Sequence, residues 1–106
     1  MAWMLVLAAG LLEIVWAYTM KLSQGFTRPG PTAVTLLAML ASFALLSLAM
    51  KSLPLGTAYT VWTGIGAVGA FVVGIVVLGE PLTTGRLLAA SLIVTGLVVM
   101  KLSTPT

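Results

Sequence analysis

A chain of 106 residues with 60% hydrophobic and only 7% charged residues, at a mean hydropathy of +1.20, is no water-soluble domain. Soluble domains carry ~25% charge; this length instead has room for about four membrane spans. Cysteine and histidine are absent, so disulfides, thiolate or imidazole metal sites and Ser–His or Cys–His catalytic pairs are excluded; neither metal, cofactor nor enzyme chemistry is expected.

The first apolar run predicts a helix over 2–20, closed by Lys21. Its one charge, Glu13, lies about 11 residues in, or ~16 Å at a helical rise of ~1.5 Å per residue, near the middle of a ~30 Å hydrocarbon core. With no basic leader and an acid inside, the run is a poor secretory signal and reads as a retained span. Gly25, Arg28, Pro29, Gly30 and Pro31 punctuate a turn, and a second span, uncharged throughout, is expected over 32–50. The short link from Lys51 to Gly56 makes the second and third spans antiparallel neighbours. The third is expected over 57–79, terminated by Glu80-Pro81. The fourth, over 84–102, has a short uncharged core and needs Arg86 and Lys101 to snorkel from its two ends. Met20-Lys21, Met50-Lys51 and Met100-Lys101 close three of the spans, where a lysine complements the helix dipole and anchors the interface. The five basic residues, net charge +3, stand singly at such ends, which is the pattern of membrane flanks and not of a nucleic-acid surface.

If the spans alternate, Lys21, Arg28 and Arg86 lie on one side, and Lys51, Lys101 and the amino terminus on the other. An imbalance of one basic side chain is too small to set an orientation. Two copies inserted in opposite senses would supply the inverted symmetry that transporters otherwise build from internal repeats. They would also bring two Glu13 side chains together. The expected fold is therefore an all-α membrane protein of four transmembrane helices per subunit, assembled as an antiparallel, dual-topology homodimer; a parallel oligomer is the plain alternative.

On a helix, Val6, Gly10, Glu13 and Ala17 share a face bordered by Trp16. Gly10 and Ala17 leave room for a helix or a ligand beside the acid. A mid-span acid is either a structural carboxyl bonded to a hydroxyl or part of an ion or proton path. A pair of them can hold protons or a cation, whereas holding neither is strongly unfavourable, and that exclusion is the simplest form of proton-coupled antiport. Trp16 is lipid-facing bulk or else donates its indole N–H to the carboxylate and offers its face to a cation. Ser42, in the uncharged second span, either bonds Glu13 or its own backbone. Tyr59, Trp62, Thr63 and Gly66 follow one helix face, with the interfacial aromatic belt as the competing explanation for the two rings. Trp3 belongs to that belt.

Gly64-Ile65-Gly66-Ala67-Val68-Gly69 matches a dinucleotide-binding pattern but has no strand before it and no βαβ context, so the match is spurious. In a membrane helix Gly64 and Gly66 instead permit close contact and a hinge. Ala89, Ala90 and Gly96 are small residues suited to packing the fourth helix on another, with Ala89 and Gly96 the candidates for dimer contact.

Taken together, Gly10-x-x-Glu13-x-x-Trp16, Lys21 with Gly25-Phe26-Thr27-Arg28, Ser42-Phe43, and Pro54-x-Gly56-x-Ala58-Tyr59-x-x-Trp62-x-Gly64-x-Gly66 resemble the small multidrug resistance family over essentially the whole chain. The resemblance implies an antiparallel dimer in the bacterial inner membrane that exports a small organic cation in exchange for protons. Within it, Glu13 would be the shared proton and substrate site, Tyr59 a lining or gating residue, Trp62 a wall, and Ser42 a partner of Glu13. Trp16, Met39, Lys101 and the Glu80-Pro81-Leu82-Thr83 turn look like its guanidinium-exporting branch. Guanidinium is planar, weakly hydrated, and fits a carboxylate in bidentate fashion. Export of quaternary ammonium or other hydrophobic cations on the same scaffold is the second reading. A non-transporting assembly subunit is the third, with an uncoupled proton channel as a lesser variant.

Overall fold

The computed structural model describes residues 1–104 and contains four helices: α1 (Ala2–Leu22), α2 (Pro29–Ala49), α3 (Leu55–Val76) and α4 (Thr84–Ser103). All four are long and apolar enough to cross a membrane; 21 residues at ~1.5 Å each give ~32 Å, close to the thickness of the hydrocarbon.

Two helix ends differ from the sequence expectation by about a turn. Pro29, Gly30 and Pro31 form the first turn of α2 and not a loop. The first-turn N–H groups of a helix have no intrahelical acceptor, so proline costs nothing there and its fixed φ is already helical. At the far end of α3 the helix stops at Val76, before Glu80-Pro81. Gly79, at φ 70°, reverses the chain so that the Glu80 N–H reaches the Gly74 carbonyl at 2.9 Å. The α1–α2 connection is organised by the fully buried Ser23. Its hydroxyl donates to the Met20 carbonyl at 2.6 Å and accepts from the Phe26 N–H at 3.0 Å. Helix α4 is capped by Thr83, whose hydroxyl accepts from the Arg86 N–H at 3.2 Å.

In space the helices stand in the order α2, α1, α3, α4, as a slab of 43 × 35 × 16 Å. The radius of gyration is 14.6 Å, against ~13 Å for a globule of this length. Helix directions alternate as expected. Helices α1 and α2 run antiparallel, with the Thr19 and Thr35 hydroxyls 2.7 Å apart near one end and Ser42 against Ala9 towards the other. Helices α1 and α3 run parallel, and α4 returns along α3. The small apolar core gathers where the amino terminus meets the α2–α3 turn: Val6 and Ala9 of α1, Leu46 and Ala49 of α2, Leu53, and Ala58, Val61 and Trp62 of α3.

Helix α4 contributes no buried residue. Its backbone adjoins α3 alone, while Leu97 and Met100 reach the edge of the core and side chains fasten it near both ends. At its start Arg86 sits 5.2 Å from the Phe71 ring centroid, pairs with Glu80 at 3.4 Å and donates to the Pro81 carbonyl. At its end the Lys101 ammonium lies 4.7 Å from the Trp3 ring centroid on α1.

Candidate functional site

The α1–α3 interface is built by glycines receiving large side chains. A Cβ on Gly10 would strike the Ile65 side chain, and one on Gly69 the Ile14 side chain. Gly66 receives something different: the Glu13 carboxyl itself, so that any side chain at position 66 would occupy its place. A carboxyl set against a helix backbone in mid-span is thus accommodated by the absence of one methyl group.

One carboxylate oxygen of Glu13, Oε1, is covered and has no hydrogen-bond partner among the described residues, and the same holds for Nε1 of Trp16. The expectation that this indole N–H donates to the carboxylate is therefore not met; the two groups lie one turn apart on α1, each unsatisfied. Leaving a buried polar atom unpaired costs ~1–3 kcal/mol. A ligand that supplied a donor to Oε1 and an acceptor to the indole N–H would recover both.

Ser42 also departs from expectation. It is fully buried, but its hydroxyl donates to the Ala9 carbonyl at 2.7 Å and accepts from the Trp62 indole N–H at 3.0 Å. It bonds neither Glu13 nor its own helix. The reason is register. With Ser42 level with Ala9, and Thr35 with Thr19, the α2 residues opposite Glu13 are about Ala38 and Met39, a turn away from Ser42. Glu13 meanwhile turns to α3, and Ser42 ties three helices together by joining a side chain of α3 to the backbone of α1.

Four aromatic rings then run in sequence across α1, α2 and α3. Trp16 meets Phe43 edge to face at 6.4 Å, Phe43 meets Trp62 at 5.9 Å, and Trp62 meets Tyr59 at 5.5 Å. Trp62 is 7% exposed, so it belongs to the interior and not to an interfacial belt. Tyr59, at 53%, presents much of its surface outward and also lines a groove between α3 and α4. Phe43 links Trp16 to Trp62, yet carries no polar signal to single it out in an apolar span; only its place beside Ser42 pointed to it.

The remaining residues fall into place as follows. Gly10 serves helix contact, receiving Ile65. Gly64 faces α4, where a Cβ would strike Leu97, so Gly64 and Gly66 open towards opposite neighbours within an uninterrupted helix. Ala89 and Gly96 lie exposed on α4, and beyond Gly96 there is open space. Glu80, the second acid, is at the α3–α4 connection with Arg86 and takes no part in the site. Among the described residues no cluster of three acids, histidines or cysteines could hold a metal ion.

The sequence profile described as Small Multidrug Resistance protein matches residues 1–93. The chain belongs to the small multidrug resistance family. As a member with four apolar helices it is a multi-pass membrane protein, and the relatives below are bacterial. A relative from Citrobacter freundii, named a guanidinium exporter, is 56% identical over 104 residues, covering 98% of this chain and 99% of that protein. A relative of the same name from Escherichia coli (strain K12) is likewise 56% identical over 104 residues, with the same coverage. The one from Salmonella typhimurium (strain LT2) is 55% identical over 103 residues, covering 97% and 98%. The full-length agreement includes α4, whose second half lies beyond the profile match.

Proposed function

We propose that this chain is a proton-coupled antiporter that exports guanidinium and small substituted guanidinium cations across the bacterial inner membrane. Glu13 from two subunits alternately holds protons and cargo. The observation that carries the reading is the unsatisfied Oε1 of Glu13 against Gly66, one turn from an unsatisfied Trp16, in a relative of guanidinium exporters. A guanidinium ion presents two parallel N–H donors to a carboxylate and a flat face to an aromatic ring. Protonation removes the negative charge that holds the cation, so a carboxyl serves one or the other. That competition is what couples the two fluxes.

An antiparallel homodimer completes the reading. One chain brings one mid-span carboxyl, leaves α4 without a buried residue, and carries basic side chains divided three against two between its ends. A second copy inserted the other way up would supply the second carboxyl, and Ala89 and Gly96 offer α4 a close approach to it. Movement of α3 at Gly64 and Gly66 would open the carboxyl to one side and then to the other. The row from Trp16 to Tyr59 favours a second reading, export of hydrophobic or quaternary ammonium cations, because such ions lack donors and bind to aromatic surface.

Purified protein in liposomes separates these readings by the currents evoked on adding guanidinium, methylguanidinium or tetrapropylammonium. Currents for the guanidinium ions alone support the first; currents for tetrapropylammonium alone support the second; silence for all, with folded protein, overturns both. Glu13→Gln is expected to abolish transport while leaving assembly intact, and retained coupled transport would refute the site.

A further inference from the structure

A recess of about 410 Å³ opens between α1, α3 and α4, and Glu13 does not line it. Its walls are hydrocarbon: Met4 and Leu7 of α1, Ile65 of α3, Leu97 and Val98 of α4. Trp3 and Lys101 lie at the end where α1 begins and α4 finishes, with the ammonium against the indole ring. This is the level of the membrane interface on that side.

Among the described residues the Lys101 ammonium has no carboxylate partner. The only two acidic side chains are Glu13 and Glu80. Glu80 is engaged by Arg86 at the opposite end of α4, some 15 residues or ~22 Å from Lys101, and Glu13 lies ~15 Å along α1 from Trp3. A second copy of the chain brings the same two acidic side chains, one paired with its own arginine and the other in mid-span, so it has no spare acidic side chain to offer. The cationic cargo would be repelled from this place. What fits is an amphiphile of opposite charge, with an anion at the interface and a hydrocarbon tail running inward between the helices. Basic pockets between transmembrane helices bind anionic lipid head groups for this reason.

We propose that the recess is a binding site for an anionic phospholipid of the surrounding bilayer, with one acyl chain between α1 and α4 and its phosphate on Lys101. The bound lipid fills the recess between α1 and α4, and so adds to the Lys101–Trp3 contact in bracing the end of α4 against α1.

The test uses Trp3 as reporter. Protein carrying Trp16→Phe and Trp62→Phe, so that Trp3 is its sole indole, is reconstituted in phosphatidylcholine vesicles. Increasing fractions of phosphatidylglycerol brominated on its acyl chains are then introduced, and brominated phosphatidylcholine is introduced in a parallel series. Quenching by brominated phosphatidylglycerol is expected to half-saturate at about fivefold lower mole fraction, the preference one lysine confers near an anionic head group. Lys101→Gln is expected to bring the two lipids level, and Lys101→Arg to keep the preference. Val98→Phe, which fills the recess and spares the lysine, is expected to remove the saturable component. Equal quenching by both lipids in the parent overturns the proposal. So does a preference that survives Lys101→Gln, or one that survives Val98→Phe, since the recess would then play no part. Absence of quenching by either lipid also overturns it, because the recess would then be covered by protein.

Discussion

Gly66→Ala puts the seat of the Glu13 carboxyl to direct trial. The added Cβ would stand 2.7 Å from Cγ of Glu13 and closer still to its carboxyl group. Carbon atoms in contact rest ~3.5–4.0 Å apart, so the acid must retreat by ~1 Å or push α3 away. Overpacking of this kind costs ~1–3 kcal/mol, whereas replacing glycine by alanine within a helix returns ~1 kcal/mol. The net loss of stability is therefore at most ~2 kcal/mol, and the protein should still fold. Ligand binding fares worse, because a two-point contact between guanidinium and carboxylate depends on orientation; a tenfold or greater loss of affinity is expected, equivalent to ~1.4 kcal/mol or more. Calorimetric titration of guanidinium into the detergent-solubilised protein, alongside thermal unfolding, reads both quantities. Gly85→Ala, where the added methyl group enters open space, is the matched control and should leave affinity unchanged. Parental affinity in Gly66→Ala would show that Glu13 does not depend on this seat.

Two further outcomes follow from the hydrogen bonds and rings. Ser42→Ala strands the Trp62 indole N–H and is expected to cost ~1–3 kcal/mol in unfolding free energy. In a double-mutant cycle with Trp62→Phe it should show coupling of ~0.5–3 kcal/mol, and with Glu13→Gln none beyond ~0.5 kcal/mol; the reverse pattern would restore the Ser42–Glu13 bond. Phe43→Ala breaks two edge-to-face contacts at ~0.5–1.5 kcal/mol each. It should weaken transport of tetrapropylammonium more than transport of guanidinium, a comparison the liposome currents make directly.

Much of this was legible in the sequence, and the failures share a cause. Hydropathy located all four spans because each is a continuous apolar run, and Glu13 stood out because nothing else in its run is charged. Pro29 and Gly79 misled for local reasons: proline reads as a breaker unless it falls on the first turn, and a left-handed glycine ended α3 before the more conspicuous Glu80-Pro81. Ser42 was rightly singled out as a buried hydroxyl and wrongly joined to Glu13, because its partner depends on how α1 and α2 slide past each other. No periodicity within one helix encodes that offset. Phe43 stood in the family pattern beside Ser42 but was given no role, because an apolar residue in an apolar span acquires meaning only from its neighbours in space. The glycines of α3 showed the same limit, since spacing revealed that something approaches closely without saying that Gly66 admits an acid and Gly64 a leucine.

The placement of α4 at the margin of the slab bears on how the chain is made. The first three helices supply every buried member of the core, and the last of the four to be synthesised adds only Leu97 and Met100 at its edge. A nascent chain can therefore settle its carboxyl against α3 while α4 is still within the ribosome, and biogenesis divides into an early phase that shapes the interior and a late one that prepares the chain to join others. Truncation before Thr84 should leave a folded remnant whose amides exchange as slowly as in the full chain, yet one poorly equipped to assemble.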